Sequence, residues 1–169
     1  GSVSFADVVL GDAERPALTA EKLTARLRFF PLLIGRVEVA DVSLERPTIA
    51  VDVDADGKSN WSVLIDALAR SKKPSEARTV AAFSEMRIDN GTIILRNQAT
   101  NTVETLNSVD FSLAWPSISK SFGATGHFVW RNEPVDASVT LADFPAALQG
   151  NRTGLKLRIA GAPMKAAFE

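Results

Sequence analysis

Hydrophobic and polar residues alternate along most of the second half of the chain. In one run, Val109, Phe111, Leu113 and Trp115 are separated by single polar or small residues. The other runs contain Phe122, Ala124, Gly126, Phe128 and Trp130; Val135, Ala137, Val139 and Leu141; and Leu155, Leu157 and Ile159. A period of two is typical of a β-strand that has one apolar face. Turn-like sequence separates the runs, so they are predicted to pair sequentially as antiparallel strands.

The first half of the chain has similar alternation, but with irregularities. The expected strands are Val3–Leu10, Thr19–Arg28, Arg36–Glu45 and a run that contains Ile49, Val51 and Val53. The apolar phase changes at Ala40–Asp41, which predicts a β-bulge or bend. Further on, Asn90-Gly91 is compatible with a hairpin turn or with a glycine bulge inside one long strand, Ser84–Asn97. The bulge is favoured, because residues 99–102 supply a better turn.

Helical periodicity is scarce. Apolar residues at i, i+3, i+4 and i+7 predict one helix over Asn60–Arg70, with Ser59 or Asn60 as its N-cap. Shorter helical segments are predicted at Phe29–Ile34 and Asp143–Gln149. The sequence therefore predicts a mainly β fold: a long, curved, antiparallel amphipathic sheet that would form a β-groove, with two or three short helices.

A segment rich in Ser, Lys and Pro divides these elements into two β-rich units. The first unit spans 3–70 and ends in the helix, the linker spans 71–80, and the second unit spans 81–169. We expect the second unit, an antiparallel β-meander, to continue the sheet of the first. The sequence shows no signal-peptide pattern and no apolar stretch near the roughly 20 residues that span a membrane. We interpret it as an internal piece of a larger extracytoplasmic protein.

Composition argues against several classes of function. With 19 basic and 20 acidic residues, a net charge of −1 and no Tyr, the chain has no basic stripe for a nucleic acid. The absence of Cys excludes a thiol nucleophile, a disulfide framework and a thiolate metal site. The sequence contains no phosphate-binding glycine loop and no nucleophile elbow, so neither an enzyme nor a cofactor is predicted.

Two features that look like chemical sites are better explained structurally. Residues 52–57 read D-x-D-x-D-G, like the start of a calcium loop, but the position that needs a bidentate Glu holds Val63. Asp56-Gly57 is therefore interpreted as a turn between a strand and a helix, and no metal site is predicted. The only histidine, His127, alternates with Phe128 and is expected on the polar face of its strand.

The apolar faces of the second-half strands are rich in aromatic residues, and this feature has two explanations. The face is either a closed core, packed under a second layer, or an open groove that holds lipid. Both explanations predict the same alternation, and the scarcity of helices to cover the face favours the groove. The candidate lipid-binding residues are Val109, Phe111, Leu113, Trp115, Phe122, Phe128, Trp130, Val139, Leu141 and Leu157.

Four short motifs, in a fixed order, resemble those of the AsmA family of Gram-negative envelope proteins. They are a "PLL-x-G-x-(I/V)-x-(I/V)" strand, an "L-x-x-P-x-(I/L)" strand, a "DG-x-x-NW" turn into a helix and an "I-x-x-G-x-(I/L)" element. The residues that carry them are Leu32-Leu33-Ile34-Gly35-Arg36-Val37-Glu38-Val39, Leu44-Glu45-Arg46-Pro47-Thr48-Ile49, Asp56-Gly57-Lys58-Ser59-Asn60-Trp61 and Ile88-Asp89-Asn90-Gly91-Thr92-Ile93. The resemblance covers roughly residues 18–159.

The resemblance implies a setting for the chain. Family members are typically anchored in the inner membrane by an N-terminal helix, project into the periplasm and are linked to outer-membrane biogenesis. Larger relatives resemble bridge-like lipid-transfer proteins with a β-groove. A non-catalytic periplasmic domain for phospholipid transport is thus expected; the alternative is a β-rich interaction module with a closed core. The expected partners are a phospholipid or other acyl lipid, the membrane through an anchor outside this chain, and a second copy paired edge to edge.

Overall fold

The alternating runs form β-strands in the computed structural model, which describes residues 1–35, 39–62, 83–115, 121–142, 152–161 and 165–168. The strands are β1 Ser2–Gly11, β2 Pro16–Leu27, β3 Val39–Glu45, β4 Thr48–Val53, β5 Phe83–Asn97, β6 Thr102–Trp115, β7 Phe122–Trp130, β8 Glu133–Leu141, β9 Leu155–Gly161 and β10 Lys165–Phe168. A short helix, α1, spans Phe29–Leu33. The predicted mainly β fold is confirmed.

All ten strands of the described residues belong to one sheet with nine strand positions, because β3 and β4 lie end to end. The order is β1, β2, β3 with β4, β5, β6, β7, β8, β9 and β10. Both β3 and β4 pair with β5 in parallel, so the sheet is mixed. The expectation of an entirely antiparallel sheet is wrong at this position. A parallel pair needs a crossover of a dozen or more residues, and residues 54–82 supply that length between β4 and β5.

A line of backbone irregularities crosses the sheet from β1 to β6, with register shifts at Asn90 and Ser108. Four non-glycine residues there have φ values near +50°, in the left-handed region: Asp7, Arg46, Asn90 and Ser108. Neighbouring strands are joined along this line, since the Arg46 amide donates to the Asp89 carbonyl at 2.9 Å and the Asn90 amide donates to the Asp110 carboxylate at 2.8 Å. We call these four residues the bulge line. The register shifts mark β-bulges in β5 and β6, and bulges bend a strand and increase its twist.

The irregularities predicted from the sequence are confirmed. The β2–β3 register shifts between Arg26 and Leu27, opposite Ala40, where the apolar phase changes. Asn90-Gly91 lies inside the single long strand β5 as a bulge, and the chain turns at residues 98–101 instead. The bulge at Ser108 and the positive φ of Asp7 were not predicted.

The turn and the helix start that were predicted after β4 are both present in the structure. The Asp54 carboxylate accepts the amides of Asp56 and Lys58 at 2.9 and 2.8 Å, which makes residues 54–58 the predicted turn. A helix then begins at Asn60, and the Ser59 hydroxyl accepts the Trp61 amide at 3.0 Å as an N-cap. The remainder of this helix and the predicted helix at 143–149 lie outside the described residues. So does the whole of the predicted linker, 71–80.

Few side chains of the described residues are fully enclosed. The buried apolar residues are Ala17, Leu18, Ala20, Leu44, Ala50, Ile88, Val109, Ala124 and Val135. This set contains no aromatic side chain, although aromatic residues dominate the cores of two-layer β proteins. Most apolar side chains of the sheet are therefore only half-buried.

Candidate functional site

Strand register aligns apolar residues into two rows that cross all nine strand positions. The first row contains Val3, Ala25, Val42, Met86, Leu113, Ala124, Val139, Leu157 and Phe168, each paired with the next. The second row contains Phe5, Leu23, Leu44, Ile88, Phe111, Gly126, Ala137, Ile159 and Ala166. We call the side of the sheet that carries both rows the apolar face. Neither row includes a polar residue.

The row between them, which points to the opposite side, has the reverse composition. It contains Ser4, Thr24, Ser43, Arg87, Ser112, Thr125, Ser138, Arg158 and Ala167. Eight of these nine residues are polar. Because successive side chains of a strand point to opposite sides, the contrast shows that the sheet separates an apolar side from a polar side over its full width. At about 4.8 Å per strand, that width is about 40 Å.

The ten residues predicted from the sequence to bind lipid all lie on strands at register positions of the apolar face. Eight have half-buried side chains: Phe111, Leu113, Phe122, Phe128, Trp130, Val139, Leu141 and Leu157. The rings of Phe111 and Phe128 stack with centroids 6.3 Å apart. Val109 has 0% exposure and offers no surface to a ligand in this structure. Trp115 pairs with Phe83 on the backbone, and its side chain lies outside the described part. The binding of lipid by these residues stays a prediction.

The apolar face also includes residues that the sequence-based set omitted. Register places Phe5, Leu23, Met86 and Ile93 of the first five strands on it, together with Leu155 of β9. The alternation that identified the second-half residues was visible in the first half too. The phase changes at the bulge line obscured it, because the step from Phe5 to Val8, like that from Leu106 to Val109, is three positions instead of two.

Trp61 covers one part of the apolar face. It packs against the cluster of Leu18, Ala20 and Leu44, and its indole N–H donates to the Ala50 carbonyl at 2.8 Å. The Asn60 side-chain amide donates to the same carbonyl at 2.9 Å, so the start of the helix is fixed on β4. The area covered by Trp61 is local, because the cluster around it contains only residues of β1 to β4, near Leu18 and Ile49.

A polar cluster lies at the rim of the apolar face where β6 begins and β7 ends. The Trp130 indole N–H donates to Glu104 Oε2 at 2.8 Å, and the Arg131 guanidinium pairs with the same carboxylate. Arg131 also lies over the Trp130 ring, 4.8 Å from its centroid. Hydrogen bonds from Arg131 and then Trp130 lower the pKa of Glu104 from its ordinary value. The carboxylate stays ionised and fixes the indole at the edge of the apolar face.

The polar side of the sheet carries the features that resembled catalytic or metal sites. His127 lies there as predicted, 63% exposed, with Nε2 3.2 Å from Asp110 Oδ2. On the same side, hydrogen bonds from Ser112 and then Arg87 lower the pKa of Glu85. Among the residues that the structure describes, no group of three or more His, Asp or Glu side chains could hold a metal ion.

Three further observations bear on the place of this chain among known proteins. Within the described ranges, no helix has the length and apolar character required to cross a membrane. A search of curated proteins returned no match. The model of the AsmA family matches residues 2–167, which is nearly the whole chain and includes every strand described above except the last residue of β10. The chain therefore belongs to the AsmA family, whose members are envelope proteins associated with envelope biogenesis and lipid transport.

Proposed function

We propose that this chain is a periplasmic, lipid-carrying part of an AsmA protein that is anchored to the inner membrane and serves outer-membrane biogenesis. Phospholipid acyl chains would lie on the apolar face, and the polar side would face the periplasm. One observation carries the proposal: two adjacent rows of the sheet contain only apolar residues across all nine strand positions.

Burial supports a lipid-binding face more than a closed core. Phe111, Phe128 and Trp130 are half-buried, and no second layer covers the rows from β5 to β9 within the described residues. An acyl chain that lies on these side chains gains about 0.8 kcal/mol for each methylene group removed from water. About 5 to 19 methylene groups are then needed to offset the roughly 4–15 kcal/mol lost in rotational and translational freedom on binding.

The composition of the rows supports movement of lipid along the face. Apolar contact is non-directional, so an acyl chain has similar free energy at neighbouring strand positions. A polar residue inside the rows would create a preferred position for a headgroup, but the rows contain none. The path for an acyl chain therefore runs across the strands, from β1 toward β10, over about 40 Å.

The second candidate function is a β-rich interaction module with a closed core. The cover that Trp61 provides over Leu18, Ala20 and Leu44 favours it, because this part of the face is already closed. The complete burial of Val109 is also consistent with it. The two functions differ in one measurable property, since an open face retains lipid and a closed core does not.

The test is the phospholipid content of the purified chain, measured by native mass spectrometry and by extraction. We expect co-purified phospholipid in the wild type and about tenfold less in Phe128→Glu, because loss of contact with two methylene groups costs about 1.6 kcal/mol. Thr125→Glu is the matched control, since Thr125 is exposed on the polar side of the same strand. It should retain lipid like the wild type.

A second variant separates loss of binding from loss of folding. Leu155 is 47% exposed on the apolar face, so Leu155→Glu should fold and still reduce the retained lipid. Circular dichroism should show β-structure in all three variants. Lipid-free wild-type protein, together with unfolding of Phe128→Glu, would reject lipid carriage in favour of the closed core.

A further inference from the structure

The connection between β2 and β3 presents a group of exposed large apolar side chains. Phe29, Phe30, Leu33 and Ile34 are 62%, 80%, 67% and 69% exposed. We call these four residues the apolar tip. Single exposed hydrophobic residues are normal on protein surfaces, but a contiguous group of four large ones marks an interaction site.

Local structure holds the apolar tip outside the sheet. Helix α1 provides one turn, the Ile34 amide donates to the Pro31 carbonyl at 3.2 Å, and Gly35 ends the turn with φ of +74°. The rings of Phe29 and Phe30 contact each other edge to face, with centroids 6.0 Å apart. The tip follows Leu27, at the end of β2 where the apolar face has its rim, one strand away from the β1 edge.

The charge around the apolar tip identifies a partner. Residues 28–36 read R-F-F-P-L-L-I-G-R, so in sequence Arg28 precedes the tip, Arg36 follows it, and the segment contains no acidic residue. The segment carries a charge of +2, whereas the whole chain carries −1. Aromatic and leucine side chains flanked by arginines are typical of segments that enter the boundary between headgroups and acyl chains of an anionic membrane.

We infer that the apolar tip inserts into the surface of an anionic phospholipid bilayer and holds the rim of the apolar face against it. The positive charge of the segment attracts anionic headgroups, and Phe30 and Leu33 enter the acyl boundary. This contact is separate from any membrane anchor elsewhere in the protein. It goes beyond the proposed function, because the tip would bind a membrane whether or not the apolar face carries lipid.

Site-specific fluorescence tests insertion directly. The chain contains no Cys, so Phe30→Cys and the control Val103→Cys can each carry one environment-sensitive fluorophore. Val103 is 63% exposed on the polar side of the sheet. With vesicles of phosphatidylcholine and phosphatidylglycerol at roughly 7:3, the label at position 30 should shift to shorter wavelength and the label at position 103 should not. No shift at position 30, or an equal shift at both, would overturn the inference.

Vesicle co-sedimentation tests the contribution of the tip to affinity. We expect Phe30→Ser with Leu33→Ser to bind these vesicles at least about tenfold more weakly than the wild type, and Val103→Ser to bind equally. Replacement of Arg36 by Glu should weaken binding about fivefold or more, and wild-type binding should fall on pure phosphatidylcholine. Wild-type affinity in the double variant would overturn the inference.

The same assay distinguishes this inference from the proposed function. Leu155→Glu changes the apolar face but not the tip, so it should bind vesicles like the wild type while it retains less lipid. The double tip variant should retain co-purified lipid but lose vesicle binding. If Leu155→Glu weakened vesicle binding as much as the tip variant does, the membrane contact would belong to the apolar face, and the assignment to the tip would be wrong.

Discussion

Gly126 and Gly123 occupy the same strand, β7, but their surroundings differ. A Cβ atom on Gly126 would lie 2.0 Å from the Asp110 carbonyl oxygen and 2.8 Å from the Phe111 Cα, both of which are main-chain atoms. A Cβ atom on Gly123 would have no neighbour within 4 Å. The close approach at Gly126 occurs next to the β6–β7 register shift at residues 107–110. Gly126 thus permits β7 to approach the bulged part of β6.

We expect Gly126→Ala to destabilise the chain by about 1–3 kcal/mol, because the main chain of β6 must move to admit the methyl group. Gly123→Ala is the matched control and should be neutral or stabilising by about 0.4–1 kcal/mol, since Ala restricts the unfolded chain. Urea unfolding followed by circular dichroism measures both values. Equal stability of the two variants would show that the close approach at Gly126 has no energetic consequence.

At the scale of the strands, the sequence predicted where strands occur better than how they pair. Alternation located the strands because each one separates an apolar from a polar side. The parallel pairing of β3 and β4 with β5 could not be predicted, because register depends on contacts between residues far apart in sequence. Bulges were predicted where Gly91 or a phase change marked them, but the bulge at Ser108 and the left-handed residue Asp7 were missed. At both positions, the signal in the sequence was a pair of apolar residues that lie three positions apart instead of two.

The bulge line should depend on residues that tolerate positive φ. Asn90 has φ of 50°, and Asn adopts this conformation more readily than β-branched residues do. We expect Asn90→Val to lower the free energy of unfolding by about 1–2 kcal/mol and Asn90→Gly to be nearly neutral. Chemical denaturation of both variants provides the measurement. If Asn90→Val and Asn90→Gly had the same free energy of unfolding, the register of β5 would not require a residue that tolerates positive φ at position 90.

At the scale of the molecule, the sequence predicted the composition of the candidate site but only half of its extent. All ten predicted residues share one face, because alternation within each strand was sufficient to assign them. The rows continue into β1 to β5, and that continuity arises only when the parallel β3–β5 pairing joins the two halves of the chain. The sequence motifs of the family identified the fold and envelope setting, while the apolar tip emerged from the exposure of its side chains.

The edges of the sheet lead to a final prediction about the whole molecule. Strand β1 is a ten-residue edge strand, and Val3, Phe5 and Val9 on it are 40%, 55% and 59% exposed. A long edge strand with exposed apolar side chains is a template for another strand. Two copies that pair along β1 would form a closed, two-fold symmetric dimer and extend the apolar face into both copies. We therefore expect a concentration-dependent dimer of this chain in sedimentation velocity.

A charge on the apolar face of the edge strand should prevent this pairing. Phe5→Lys would place two like charges near each other in the dimer, so we expect it to weaken association about tenfold. Val103→Lys is the matched control, because Val103 has similar exposure on β6, which is not an edge strand. It should dimerise like the wild type. A monomer at high concentration in small-angle scattering, or an unchanged dimer in Phe5→Lys, would show that β1 is not a pairing edge.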